Sequence, residues 1–337
     1  MRLPMFDFSK KIRVAVIGAG NMGKNHVRNY FLLPNANLVG LADIDPAAKK
    51  LAKKYKTEFF EDYRTMLDEV RPDAVSIVVP TSLHKEVAME VMSREIHCLL
   101  EKPIASTVEE ADELIALAKK KRVVFMVGHI EHYNPLVIEL KKILDKKMLG
   151  DITSIVCKRV GGFPKVEPET DVIIDLAVHD IGIINHLLDK KPQQLFSHGS
   201  RTHHPSKLDS AEILMDYGRA SGFIQANWLT PVKIRTIAVT GSSGYIEGNY
   251  ITQELEYYEH NMKNTGAEFS DFIVAMGESA RRNIKVTFEE PLVLELKAFL
   301  ARVSGDEKAY LVKPEAAREA LRLALEAIGP YKTEGKK

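Results

Sequence analysis

Six residues, Gly18-Ala19-Gly20-Asn21-Met22-Gly23, stand directly after the β-branched stretch 12–17 and directly before a helical pattern over 21–33. A GxGxxG string alone says little, but set between a strand and a helix it constrains the fold. Gly18 permits a tight turn, a side chain at Gly20 would block a pyrophosphate, and Gly23 lets helix and strand pack closely. The helix start offers free N–H groups and partial positive charge to an anion. Asp43 closes a second strand, 38–42, twenty residues after Gly23. A carboxylate there accepts hydrogen bonds from ribose hydroxyls and repels a 2′-phosphate, so the expected cofactor is NAD rather than NADP. The alternative, a turn or capping aspartate, is already filled by Asp45 beside Pro46.

The same alternation continues. Helical patterns over 61–69, 84–92 and 108–120 are interleaved with apolar strands at 74–79, 97–100 and 123–127. Thr107 with Glu110 forms a capping box. Strands apolar throughout, alternating with helices, predict an α/β, doubly wound parallel sheet of the Rossmann kind. After residue 128 the texture changes. Helices are expected at 136–149 and 171–188 around a strand at 152–160, followed by strands at 194–199, 211–217, 221–228, 233–240 and 245–248 and closing helices at 291–300 and 314–328. This predicts an α+β domain on a large, open-faced, mostly antiparallel sheet with helices on one face. The chain of 337 residues exceeds what one core usually serves. The expected division is 1–127, an NAD-binding Rossmann domain, and 128–337, a substrate-binding and oligomerisation domain whose last helices pack back toward the first.

With 47 basic and 46 acidic residues, the chain carries no charge excess that would draw nucleic acid or an anionic membrane. Only Cys98 and Cys157 occur, which argues against a disulfide framework and for a reducing, cytoplasmic setting. Residues 1–11 do not read as a leader, and no stretch is long and apolar enough to span a membrane. His198, His203 and His204 lack companions at ligand spacing, so no metal is expected.

Two later segments suggest chemistry. Glu101-Lys102-Pro103 follows the strand 97–100, at the end of the sheet where ligands lie in this fold. Asp175 and His179 are four apart on a predicted helix and share a face, so the carboxylate can orient an imidazole suited to taking a proton from an alcohol. Either segment alone also reads as surface charge. Together with the glycine loop and Pro80-Thr81-Ser82-Leu83-His84 they resemble, in order along the chain, the Gfo/Idh/MocA oxidoreductases.

That resemblance implies an NAD-dependent dehydrogenase acting on CH–OH groups of a sugar or nucleotide sugar. Lys102, Asp175 and His179 would be catalytic. The cofactor would be held by Gly18, Gly20, Asn21, Met22, Gly23, Asp43, Pro80, Thr81, His84, Glu101 and Lys102. Thr81 stands where the family often has asparagine. Tyr133 and Asn134, after the last Rossmann strand, and Arg159, at a strand end, are candidate substrate contacts. A finer resemblance, to the UDP-N-acetylglucosamine 3-dehydrogenase group, rests on residues 20–26, 128–131 and 228–231 with Lys233 and Arg235. His132 departs from the arginine many members carry. An inositol or free-sugar dehydrogenase, a reductase of imines or cyclic double bonds, and a non-enzymatic NAD-sensing regulator are the competing readings. The resemblance also implies a homodimer or homotetramer, with the open sheet face covered by another subunit.

Overall fold

Strand β1 (Ile12–Ile17) is buried at every position except Arg13, as a strand covered on both faces must be. In the computed structural model, residues 11–259 and 281–331 are described. The start of the chain, where no leader is expected, lies mostly outside them.

The chain forms two compact units, 1–133 with 290–322 and 134–289 with 323–337. The sequence places the change of texture at 128; the chain passes from one unit to the other at 133–134 and returns at 290. In the first unit, β1, β2 (Ala36–Ala42), β3 (Glu58–Phe60), β4 (Ala74–Ile77), β5 (His97–Glu101) and β6 (Phe125–Gly128) form a parallel sheet in the order β3-β2-β1-β4-β5-β6. Helices α1 (Asn21–Leu32), α2 (Lys49–Lys54), α3 (Tyr63–Val70), α4 (His84–Ser93) and α5 (Val108–Lys121) connect the strands. The winding reverses between β1 and β4. Ligands of such sheets sit beyond the carboxyl ends of the strands at that reversal. Gly18 leaves β1 there, and residues 78–81 leave β4 there.

In the second unit, β7 (Ile152–Val160), β8 (Gln194–Ser200), β9 (Ser210–Asp216), β10 (Ser221–Asn227), β11 (Ile234–Gly241), β12 (Gly244–Asn249), β13 (Glu254–Glu259) and β14 (Arg281–Ile284) form a sheet in the order β14-β13-β12-β11-β7-β10-β9-β8. Every pair is antiparallel except β7 with β10. Helices α6 (Pro135–Asp145) and α7 (Val178–Leu188) cover one face. Close approach explains two glycines on that face: a Cβ at Gly222 would lie 3.1 Å from Ile184, and one at Gly248 2.9 Å from Leu136.

Two further helices follow. Helix α8 (Pro291–Val303) belongs to the first unit, packed on α1 and on the 3-10 turn Ile130–Tyr133. Helix α9 (Pro314–Ile328) begins in the first unit and ends in the second.

The expected helix over 171–188 is instead a π-helical turn, Ile173–Ala177, leading into α7. A helical period in sequence does not distinguish 3.6 residues per turn from a single wider turn. Strands β3, β13 and β14 were not expected. The first is a three-residue edge strand, and Arg281–Ile284 has no apolar alternation. Among the described residues no helix is long and apolar enough to cross a membrane.

Candidate active site

Each glycine of the 18–23 loop has its own physical reason. Gly18 has φ +98°, and a Cβ on it would lie 2.2 Å from the Val78 carbonyl oxygen. A Cβ on Gly23 would lie 2.0 Å from the Gly18 oxygen. At Gly20 a Cβ would meet no protein atom within 4 Å, so the space it leaves is open to a ligand. Gly20 is also the N-cap of α1, with no side-chain cap and no acidic residue in the first turn, which suits a phosphate. Asp43 Oδ2 accepts the Ala19 N–H at 2.5 Å, and Oδ1 accepts the Asp45 N–H at 2.8 Å. The carboxylate is thereby fixed beside the turn with lone pairs remaining for ribose hydroxyls. A recess of about 490 Å³ is lined by Ala19, Gly20, Lys24, Asp43, Lys50 and Lys54, among others. These residues fit the adenosine and pyrophosphate parts of NAD.

At the ends of β4 and β5, His84 links two loops. It is buried, with Nδ1 2.7 Å from the Pro103 oxygen and Nε2 3.0 Å from the Val79 oxygen. The loop after β4, with exposed Pro80 and half-buried Thr81, is therefore tied to the residue following Lys102. Glu101 is buried, and its Oε1 lies 3.0 Å from His26 Nε2. Its Oε2 accepts the Lys102 N–H at 3.2 Å. Gly128, its β6 partner, leaves it room: a Cβ there would lie 3.2 Å from the carboxyl group. Burial alone would raise the Glu101 carboxyl, but the His26 hydrogen bond and the charges of His26 and Lys102 outweigh it and hold the group below the usual range. Burial, and then the charge of Lys102, pull the nearby His129 down to about 4. A neutral imidazole thus lies within electrostatic reach of a half-exposed lysine. Fully buried Glu295 on α8 is pushed well above the usual range, first by burial and then by the Glu101 charge.

In the second unit, Asp175 lies in the π turn and His179 in the first turn of α7, both half-buried. On an α-helix two side chains four apart are offset by about 40°. Here the pair straddles the junction of the wider turn, Ile173–Ala177, and the α-helix that follows it. Asp180, the next residue, is fully buried and held by both arms of Arg159, Nε to Oδ2 and Nη2 to Oδ1, each at 2.8 Å. The Arg159 guanidinium lies over the Tyr250 ring, 5.1 Å from its centroid.

The sequence expects Tyr133, Asn134 and Arg159 as substrate contacts, yet all three are buried with internal partners. The Tyr133 hydroxyl accepts the Val312 N–H at 3.3 Å in the first unit. Asn134 caps α6 through the Leu136 N–H and donates to the Tyr250 carbonyl at 3.2 Å. Lys102 belongs to the first unit, Asp175 and His179 to the second.

Two family models match the chain. The NAD-binding Rossmann fold of the GFO/IDH/MocA oxidoreductase family covers residues 12–129, and the family's C-terminal domain covers 137–247. This chain belongs to the Gfo/Idh/MocA oxidoreductase family. Residues 12–129, within the first unit, are the family's NAD-binding Rossmann domain. The chain is 34% identical over 182 residues to the UDP-N-acetylglucosamine 3-dehydrogenase of Acidithiobacillus ferrooxidans, a stretch covering 54% of this chain and 56% of that relative. It is 26% identical over 249 residues to the scyllo-inositol 2-dehydrogenase (NAD(+)) of Bacillus subtilis, covering 69% and 73%. The first match thus spans little more than half the relative's length. A solved structure of the Acidithiobacillus ferrooxidans enzyme superposes with a TM-score of 0.82 at 25% identity, covering 94% of this chain and 96% of that one.

Several contributors gave no sequence signal as a set. His26 and Glu101 are 75 positions apart, Arg159 and Asp180 are 21 apart, and Glu295 lies in a helix whose pattern reads as ordinary core.

Proposed function

We propose that this chain is an NAD-dependent dehydrogenase moving hydride between the hydroxyl-bearing carbon of a nucleotide sugar and nicotinamide, in the manner of UDP-N-acetylglucosamine 3-dehydrogenase. The observation that carries the reading is the pair of Asp175 in the π turn and His179 in the first turn of α7, in a chain whose Rossmann unit presents Lys102 beyond the end of β5. Bound NAD supplies the hydride acceptor. His179 takes the hydroxyl proton as the C–H bond breaks, and Asp175 holds the imidazole in orientation. The Lys102 ammonium donates a hydrogen bond to the substrate oxygen as negative charge develops there. His84 and Glu101 act at one remove. They fix the loops on either side of Lys102, as their buried contacts support.

The test is NADH formation with UDP-N-acetylglucosamine, free sugars and inositols, with the oxidised carbon located by NMR. A nucleotide sugar giving the highest kcat/KM is the expected result. Turnover of inositol alone would move the chain to the inositol dehydrogenases. Tight NAD binding with silence on every substrate would favour a sensing role.

The open face of the second sheet supports a second proposal, that another copy of this chain covers it. Phe196, Leu214, Phe223 and Val156 are register partners on four adjacent strands, β8, β9, β10 and β7. Their exposures are 57, 43, 37 and 40%. A contiguous apolar row of this kind is rarely left bare on a soluble domain.

A further inference from the structure

Three aromatic rings gather in the second unit where β7 and β10 end. Phe163, in the loop after β7, lies nearly parallel to the His204 ring, at 10° with centroids 6.3 Å apart. It stands edge-on to Trp228, at 74° and 5.7 Å. The His204 ring is held in place from several directions. The N–H groups of Thr202, His203 and His204 all donate to Asp209 Oδ2, at 2.8, 2.5 and 3.0 Å. Its Nδ1 accepts the N–H groups of Ser206 and Lys207, so the proton resides on Nε2, which donates to Glu167 at 2.7 Å. Phe163 in front of this fixed plate is 39% exposed. Behind it Trp228 is buried, and its Nε1–H has no acceptor among the described residues.

Beside Phe163 stands an exposed loop glycine, Gly162. Gly162 lacks a left-handed φ, and a Cβ on it would meet nothing within 4 Å. Gly20 in the nucleotide loop and Gly329 share both properties, so the open space at Gly162 leaves room for a ligand against the backbone without by itself calling for one. A chain of hydrogen bonds leads from these rings to the Asp175 turn. The Trp228 N–H donates to the Asp209 oxygen, the Leu208 N–H to Asp171 Oδ1, and the Asp175 N–H to the Asp171 oxygen.

We propose that Gly162, Phe163 and the rings behind it form a subsite for the pyrimidine nucleoside diphosphate part of the substrate. The base stacks on Phe163, and the ribose and diphosphate pass over the open backbone at Gly162. This rests on the reading of the substrate as a nucleotide sugar. An inositol has no planar group to lay on an aromatic plate, whereas every nucleobase has one, and base–aromatic stacking is strong enough to select for it.

The experiment is calorimetric titration of the full chain, with NAD present, using UDP and uridine as probes. Wild type is compared with Phe163→Ala, Phe163→Tyr and Gly162→Val. The Cβ of the valine would meet no protein atom within 4 Å, so unchanged melting and NAD affinity serve as its fold controls. UDP should bind wild type and Phe163→Tyr, and should bind Phe163→Ala and Gly162→Val about tenfold more weakly or worse. Failure of UDP and uridine to bind wild type, or binding by Phe163→Ala as tight as wild type, overturns the subsite. UDP binding that follows the expected pattern without turnover of any sugar would remove the dehydrogenase reading and leave the subsite. Turnover of free sugars without UDP affinity would do the reverse.

Discussion

Arg159 grips Asp180 through two hydrogen bonds of 2.8 Å, both side chains almost fully removed from solvent, immediately beside His179. A guanidinium and a carboxylate in this fork satisfy one another, whereas either left alone in the interior is strongly unfavourable. Asp180→Leu should therefore cost about 3–5 kcal/mol in urea denaturation, and Arg159→Met a similar amount. The double variant Arg159→Met with Asp180→Leu should recover much of that stability, since no charge is then stranded. Additive losses in the double variant would show that the pair does not act as a unit.

The proposed roles of Lys102 and His179 separate binding from chemistry. Neither residue is part of the glycine loop or the Asp43 recess. Lys102→Ala and His179→Ala should keep NAD affinity within a few-fold and lower kcat by about 10²-fold or more. Calorimetry with NAD and steady-state rates check the two halves. Turnover at the wild-type rate in both variants would remove the assignment.

The Rossmann unit was legible because its signals are local. A β-branched run, a glycine loop and an N-cap each occupy a few consecutive residues, and β1, α1 and the Asp43 position follow from them. The sheet of the second unit was legible in kind, since Gly222 to Ala226 alternates in burial as its pattern predicts. What stayed hidden depends on distance. Arg159 reads as a strand-end cation until the fold supplies Asp180, and Tyr133 reads as a crevice residue until Val312 takes its hydroxyl. His84 is among the residues expected to hold the cofactor, and its ring faces two backbone carbonyls. The π turn escaped because one extra residue per turn leaves no mark on a short helical pattern.

Asp43 should govern cofactor choice. Its carboxylate is fixed by the Ala19 and Asp45 N–H groups and shares its recess with Lys24, Lys50 and Lys54. Asp43→Ser removes the charge that repels a 2′-phosphate and leaves the three ammonium groups able to attract it. NADP affinity should rise and NAD affinity fall, each by about tenfold, with the NADP gain shrinking in high salt. An unaltered NAD/NADP ratio would show that Asp43 does not face the ribose.

The apolar row on the open sheet gives a prediction in solution. Phe223 and Leu214 are register partners in its middle. Phe223→Glu should leave the far-UV spectrum intact and shift the sedimenting species to a smaller one, because each copy would have to bury an unpaired carboxylate in a self-complementary patch. A wild type that sediments as a monomer at all concentrations would end the proposal.

His129 and Glu295 should tilt stability in opposite directions with pH. Burial and the charge of Lys102 lower the His129 imidazole from 6.5 to about 4. Between those values the unfolded chain binds more protons than the folded one, so stability climbs with pH through that window and is level above it. Glu295, raised well above 4.5 by burial and by Glu101, holds its proton after the unfolded chain has released it. Its contribution is therefore full below 4.5 and is lost as pH rises toward its folded value. Glu295→Gln keeps the shape and removes the titration. Urea denaturation across a pH series should show the variant gaining on wild type as pH rises, by an amount on the order of 1 kcal/mol or more near neutrality. His129→Phe should flatten the acid limb alone. Curves for Glu295→Gln and wild type that run parallel from acid to alkaline pH would mean the buried carboxyl titrates normally, and the electrostatic link from α8 to Glu101 would have to be abandoned.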